Sequence, residues 1–204
     1  MTPVWKRADR SDRLDHCPNH EQHFLFYASI YTTGGGYAAS PTNQLISNLK
    51  ADVGQSKRTF YKSSAIDTFS SEVADFFDGL TRYKFALVPF PPSKTKANPD
   101  HDDRVMRVAS KVAGMCPHVE VAELLVRTAD AKKQSAGGLR SADDAMKTLA
   151  VDYVALSRVQ VPNIVLLGDI ITSGASYEAF RRLLETHTTG KQLAGVFWAK
   201  SRTR

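Results

Sequence analysis

The chain lacks most of the features that mark the large, easily recognised protein classes. It has two cysteines in 204 residues, Cys17 and Cys116, with no CxxC pair, so no disulfide framework of the secreted kind can be drawn. No apolar run reaches the length needed to cross a bilayer. The first residues, "MTPVWKRADRSDRLDHC", are charged throughout and carry no apolar core, which is not the pattern of a secretory leader. A reducing, cytoplasmic setting is therefore expected. There is no GxxxxGK[ST], which excludes a P-loop, and no GxGxxG to support a dinucleotide fold. Internal repeats and low-complexity segments are also missing.

What is present is ordinary for a globular chain: 42% hydrophobic and 24% charged residues. The formal charge of +6 favours anionic company. The basic residues are scattered, however: Lys57, Arg58 and Lys62, then Lys94 and Lys96, then Lys132 and Lys133, then the tail "AKSRTR". A solvated basic surface and a phosphate-rich small ligand both fit this spread. Nucleic acid is weakly supported, because the aromatics are not interleaved with the cations as a stacking platform requires.

Along the chain, residues 1–23 read as loop or a mobile end. "HFLFYASIYTTGGGYAASP" reads as a strand or hairpin, and "TNQLISNLKAD" as a short helix with Leu45, Ile46 and Leu49 on one side. "SSEVADFFDGL" reads as a helix capped by Ser70 or Ser71, with Val73, Phe76, Phe77 and Leu80 on its apolar face. From Lys84 the texture changes. "KFALVPFPPSK" is a buried strand entering a proline-rich turn, and "DDRVMRVASKVAG" an amphipathic helix with acids in its first turn and Gly114 near its end. "HVEVAELLV" is a second strand and "RTADAKKQSAGGL" a long basic loop. "SADDAMKTLAV" is a helix capped by Ser141, "NIVLLGDI" the clearest buried strand, "SYEAFRRLLETH" a helix and "QLAGVFWAK" a closing strand. Strand and helix alternate, which predicts an α/β fold with a mostly parallel sheet flanked by helices. Residues 1–84 are expected as an extension or hood, and 85–204 as the core.

The stretch that carries chemistry is "IVLLGDIITSGAS", residues 164–176. A greasy strand delivers one acid, Asp169, and then a Thr/Ser/Gly turn that opens a helix. Ligands of open α/β sheets bind beyond the carboxyl ends of strands, where loop amides and a helix amino terminus favour an anion. Helix capping alone also explains Ser, Thr and Gly at such a turn. Trp198 is expected to pack against the sheet rather than to stack on a base.

The stretch resembles the phosphoribosyl pyrophosphate (PRPP) motif of the type I phosphoribosyltransferases. "ALVPFPPSK" is similar to the strand and pyrophosphate loop of that fold, and most like its ComF-like, competence-associated branch. "LLVRTADAKKQSAGGLRSADDA" is similar to that branch's mobile segment through Arg127, Gln134 and Leu139, and "LISNLKAD" resembles its Leu-Ile-x-x-x-Lys stretch. The resemblance implies that Thr172, Ser173, Gly174, Ala175 and Ser176 hold the 5'-phosphate while Asp169 takes the ribose. Pro92, Ser93 and Lys94 would form the pyrophosphate loop. Arg127, Lys132, Lys133 and Gln134 would belong to a closing lid, with Mg2+ arriving alongside PRPP.

Asp169, Arg127 and Lys94 are the catalytic candidates for transfer of phosphoribose to an unknown acceptor, in a chain that is compatible with a homo-oligomer. Thr172 stands where purine-salvage relatives carry an acid that assists the base, so such help from that position is not expected.

The chain departs from the pattern at three points: Gly168 stands where a second acid pairs with Asp169, "SADDAMK" replaces an Arg and Asn, and the amino-terminal CxxC zinc module has no counterpart. A catalytically reduced sensor of PRPP or a nucleotide, associated with nucleic-acid processes, is the alternative. "HCPNHEQH" offers His16, Cys17, His20 and His23 within eight residues. It reads as a surface histidine cluster or as metal ligands; no second half is present to fold around an ion.

Overall fold

The computed structural model describes residues 3–51, 56–131 and 141–203, with the side chains of 56–58 left aside. Lys132, Lys133, Gln134 and Leu139 therefore lie outside the described residues. Eight strands and six α-helices are found among those described.

The main sheet has six strands in the order β1-β2-β8-β7-β3-β4. Its strands are β1 (Lys6–Arg7), β2 (Phe24–Thr33), β3 (Phe85–Pro89), β4 (Val119–Val121), β7 (Asn163–Ile171) and β8 (Gln192–Thr203). Every pairing is parallel except β1 with β2. A separate antiparallel pair, β5 (Leu125–Arg127) and β6 (Leu149–Val151), flanks the long basic segment.

Both faces of the sheet are buried, which explains the near-continuous hydrophobic runs in its strands. Ala86 and Val88 of β3, Ile164 and Leu166 of β7, and Phe197 of β8 point to one side. There they meet Tyr177, Phe180 and Leu184 of α6 (Ala175–Glu185). Phe85, Leu87, Val165, Leu167, Val196 and Trp198 point to the other. That second face is covered by α1 (Pro41–Leu49), α2 (Ser56–Asp78) and α3 (Arg104–Met115). Trp198 is 2% exposed and stacks on Phe69 at 4.7 Å, so it is a packing residue, as expected.

The crossover through α3 runs from β3 outward to β4, whereas the crossover through α6 runs from β7 outward to β8 in the opposite direction. Chain order thus reverses between β3 and β7. The carboxyl ends of those two neighbours form the topological switch point, the crevice where open α/β sheets place ligands.

Several expectations are corrected. The helix expected from Ser70 starts at Ser56. Its apolar stripe continues back through Phe69, Ile66 and Ala65, and Ser70 is a buried mid-helix residue whose hydroxyl donates to the Ile66 carbonyl at 2.7 Å. "HVEVAELLV" is two strands in two sheets, β4 and β5, because the chain turns between them with the Leu124 N–H on the Ala122 carbonyl at 2.9 Å. The acids of "DDRVMRV" precede α3 rather than occupy its first turn, and Asp103 at its N-cap makes no side-chain cap. The helix expected over "SADDAMKTLAV" keeps its Ser141 cap but ends at Met146 as α4 (Ala142–Met146), and its last residues are strand β6; α5 (Tyr153–Arg158) is capped by Asp152.

The amino-terminal segment has little regular structure yet is tied down. Leu14 and Cys17 are buried, and β1 with the Ala8 N–H (2.8 Å to the Leu25 carbonyl) lines the start of β2. Near its far end β2 is met by a side chain: Asn43, 1% exposed, accepts the Thr32 N–H and donates to the Thr32 carbonyl, both at 3.0 Å. No helix among the described residues is long and apolar enough to cross a membrane.

Candidate functional site

The loop after β7 leads directly into α6. Gly174 is its hinge, with φ +82° just before the first helical residue. Ala175 is buried, and Thr172, Ser173 and Ser176 are half-buried beside it. The opening turn of an eleven-residue helix presents N–H groups that have no carbonyl within the helix to accept them. The amino-terminal segment closes over the loop from outside. The His16 N–H donates to the Ser173 carbonyl at 2.9 Å, and a Cβ on Gly174 would lie 2.6 Å from Cys17 Cβ.

Two constraints therefore fix glycine at 174: a left-handed backbone and a neighbour in contact. Gly174→Val is expected to cost about 2–4 kcal/mol through strain and overpacking. A thermal scan of the ligand-free variant measures it, and an unchanged melting temperature would refute this packing.

Asp169 does not stand open at the strand end. Its Oδ2 accepts from Arg104 Nη2 at 2.8 Å and Nε at 3.2 Å, and Lys50 Nζ lies 3.5 Å away. Arg104 also donates from Nη1 to Asp102 at 2.7 Å, and Asp102 in turn accepts from the buried Lys62 at 2.8 Å. Three cations thus share two carboxylates in one chain of contacts. Burial pushes the Asp169 carboxyl upward, but Lys50 and Arg104 outweigh it and hold the group well below the usual range. Asp102 follows the same pattern: burial opposes ionisation, and Arg104 and Lys62 win.

Gly168 has a physical reason to lack a side chain. A Cβ there would come within 2.5 Å of the ring of Phe197, which is 4% exposed and belongs to the core facing α6. The space that a side chain at 168 would enter is filled by an aromatic ring.

At the end of β3 the chain continues through Phe90, whose N–H donates to the Leu167 carbonyl of β7 at 2.8 Å, into Pro91, Pro92 and Ser93. Lys94 is paired with Asp130 at 3.2 Å, and Asp130 also accepts the Thr95 N–H and the Asn98 amide. The Ala131 N–H donates to the Ser93 carbonyl at 2.7 Å, so the root of the long basic segment is docked on this loop.

Arg127 acts as a strut. Its Nε donates to the Pro92 carbonyl at 3.0 Å and its Nη1 to Thr148 Oγ1 at 2.7 Å, joining the proline loop to the β5–β6 pair. A cleft of about 280 Å³ opens between these parts and the start of α3, lined by Phe90, Pro92, Asp102, Met106, Leu125 and Arg127.

The structure therefore brings Asp169, the 172–176 loop and the 91–94 loop to one end of the sheet. Lys94 and Arg127 are engaged with protein partners there. Arg104, Lys62 and Asp102 do not stand out in the sequence as site residues, and Lys50 does so only as part of a stretch. The one local signal is a pair of acids before an arginine at a helix start, which reads equally well as capping. Of the histidine cluster, His20 is held between the Asp9 and Cys17 carbonyls, at 2.8 and 3.2 Å. His16 Nε2 is buried without a hydrogen-bond partner among the described residues.

No protein-family model matches this chain, and no curated protein matches it in sequence.

Proposed function

We propose that this chain is a phosphoribosyltransferase-like protein of the type I, ComF-like kind. It would bind PRPP with magnesium and transfer phosphoribose to an acceptor, releasing pyrophosphate. One observation carries the reading: the loop of hydroxyl and glycine residues 172–176 and the proline-lysine loop 91–94 follow the carboxyl ends of the neighbouring parallel strands β7 and β3, at the switch point. A helix amino terminus there suits the 5'-phosphate, and the neighbouring cations suit a pyrophosphate.

In this reading an acceptor bond forms at ribose C1 while the C1–O bond breaks, its electron pair leaving with the pyrophosphate. The protein's part is electrostatic: amides and cations hold the charged ends while water is kept out. Lys94 would leave Asp130 to meet the departing oxygens, and Arg127 positions the loop that carries them. The donor set here suits a magnesium ion that arrives on the ligand's own oxygens, because the Asp169 carboxylate is already shared by two cations. Magnesium would supply charge neutralisation of the pyrophosphate. Of residues 1–84, the part before β2 would act as the hood, with the 14–17 turn resting on the loop after β7, while β2, α1 and α2 belong to the core.

The test is thermal unfolding with and without PRPP and magnesium. At a hundred times Kd, the ligand should add about 2.7 kcal/mol, a rise of roughly 5–10 °C for a domain of this size. Thr172→Ala and Ser176→Ala should each lower the affinity tenfold or more, in line with loss of a hydrogen bond to a charged group, at about 1.5–3 kcal/mol. They are cleaner probes than Gly174, which also packs on Cys17. No shift with millimolar-range ligand would overturn the reading.

The second reading, a sensor that binds PRPP or a nucleotide without turning it over, is favoured by the Phe197 ring at Gly168 and by an Asp169 carboxylate already paired with Arg104 and Lys50. It predicts the same thermal shift with no pyrophosphate released on adding acceptors.

A further inference from the structure

Among the described residues, a close set of metal-ligating atoms lies beneath the amino-terminal turn. Cys17 is fully buried, with Sγ 3.7 Å from His23 Nδ1 and 3.9 Å from Glu178 Oε2. All three donor atoms lie within 4.8 Å of one another. In tetrahedral zinc sites, with Zn–S near ~2.3 Å and Zn–N or Zn–O near ~2.0–2.2 Å, neighbouring donors are about 3.5 Å apart. The two separations from the sulfur need only a few tenths of an ångström of contraction. The three residues come from distant parts of the chain: Cys17 and His23 from the amino-terminal segment, Glu178 from the first turn of α6.

We infer that Cys17, His23 and Glu178 form a zinc site that staples the amino-terminal segment to α6, with water as the fourth ligand.

The surroundings match that role in three respects. Glu178 is 1% exposed and its carboxylate is oriented by Arg181 (2.9 and 3.0 Å) and Arg182 (2.7 Å), much as outer hydrogen bonds orient the ligands of metal sites. Oε2 accepts a single arginine bond, leaving a lone pair for an ion. His23 is half-buried, which gives an entry path, and burial and then Arg181 lower its proton affinity, so the ring is neutral when the ion arrives.

The Cys17 thiol is pushed up to about 12 by burial and by Glu178, so without an ion it stays protonated. Coordination would transfer that proton to solvent and bind the sulfur as thiolate. The two arginines repel the cation, and affinity should accordingly be micromolar rather than that of a closed four-ligand zinc finger. The inference does not depend on the phosphoribosyl reading.

Cobalt(II) is the probe, titrated into the full chain at about pH 7.5, where the Cys17 proton competes with the metal and binding should tighten as pH is raised. The expected result is one equivalent bound with a dissociation constant below roughly 10 µM, displaced by zinc and accompanied by a thiolate-to-metal absorption band. Cys17→Ser should abolish the band. His23→Gln and Glu178→Gln should each weaken binding by about tenfold or more, while His20→Gln and Cys116→Ser leave it unchanged. Far-UV circular dichroism of the cysteine variant shows whether it has folded, and His23→Gln, at a half-buried position, keeps the test decisive if it has not. No band in the wild-type chain, or a band unaffected by both His23→Gln and Glu178→Gln, would overturn the site.

Discussion

Gly168→Asp, the substitution that sets a second acid beside Asp169, is expected to damage the protein rather than improve it. The new Cβ would lie 2.5 and 2.6 Å from two atoms of the Phe197 ring, well inside contact distance. The carboxylate beyond it would enter a core face formed by Tyr177, Phe180, Ile164 and Leu166, all of them apolar or aromatic. Overpacking of this kind costs about 1–3 kcal/mol, and a buried charge without a partner adds to it. A total of about 3 kcal/mol or more corresponds to a fall in melting temperature of roughly 6–12 °C. Phe197→Leu in the same chain should recover part of the loss, because the two positions are in contact and their effects do not add. A Gly168→Asp protein that melts within about 2 °C of the wild type would show that the ring yields freely and that packing does not forbid the second acid.

Arg104→Met should have an effect of similar size for a different reason. It leaves Asp169 with Lys50 alone and Asp102 with Lys62 alone, and loss of the charge-assisted hydrogen bonds to these two half-buried carboxylates costs about 1.5–3 kcal/mol. The pH dependence separates this from a simple loss of packing. Both carboxyls are held below their ordinary value of 3.8 in the folded chain, against the opposing pull of burial. A depressed carboxyl contributes stability above its unfolded value, and that contribution is lost as pH falls through the folded value. The gap between wild type and variant should therefore be full at pH 7, and should narrow as pH falls below about 4. Thermal scans at neutral and acid pH measure it. A gap of constant size down to the acid limit would mean that the arginine's stem, not its charge, supports the site.

The α/β architecture was legible because buried parallel strands leave long apolar runs and the intervening helices keep an amphipathic stripe. The strand of Ile164 and Leu166 and the helix of Tyr177, Phe180 and Leu184 follow those two patterns. Boundaries were harder where no local signal marks them. Ser70 looks like a cap in one dimension, and only the stripe reaching back to Ala65 shows that the helix has already begun.

The loop 172–176 was legible from its composition and position. The state of Asp169 was not, since Arg104 is 65 residues away in sequence and Lys50, at the end of α1, is farther still. Gly168 posed its question in the sequence, but the answer, the Phe197 ring, sits on the neighbouring strand. The histidine cluster divided in the same way. Its members lie close in sequence, yet Cys17 and His23 face a glutamate that is 161 residues beyond the cysteine.

The margin of the sheet at β2 has a consequence for behaviour at high concentration. A ten-residue strand at the side of a sheet is a template on which another chain can add by backbone pairing. Here the short, charged Lys6–Arg7 strand occupies one part of that margin, and the Asn43 amide takes both backbone groups of Thr32 in another. A side chain thus imitates a neighbouring strand for one residue and then stops, offering nothing for a second molecule to extend. The arrangement acts as a guard against fibrous aggregation, built from one asparagine and a dipeptide.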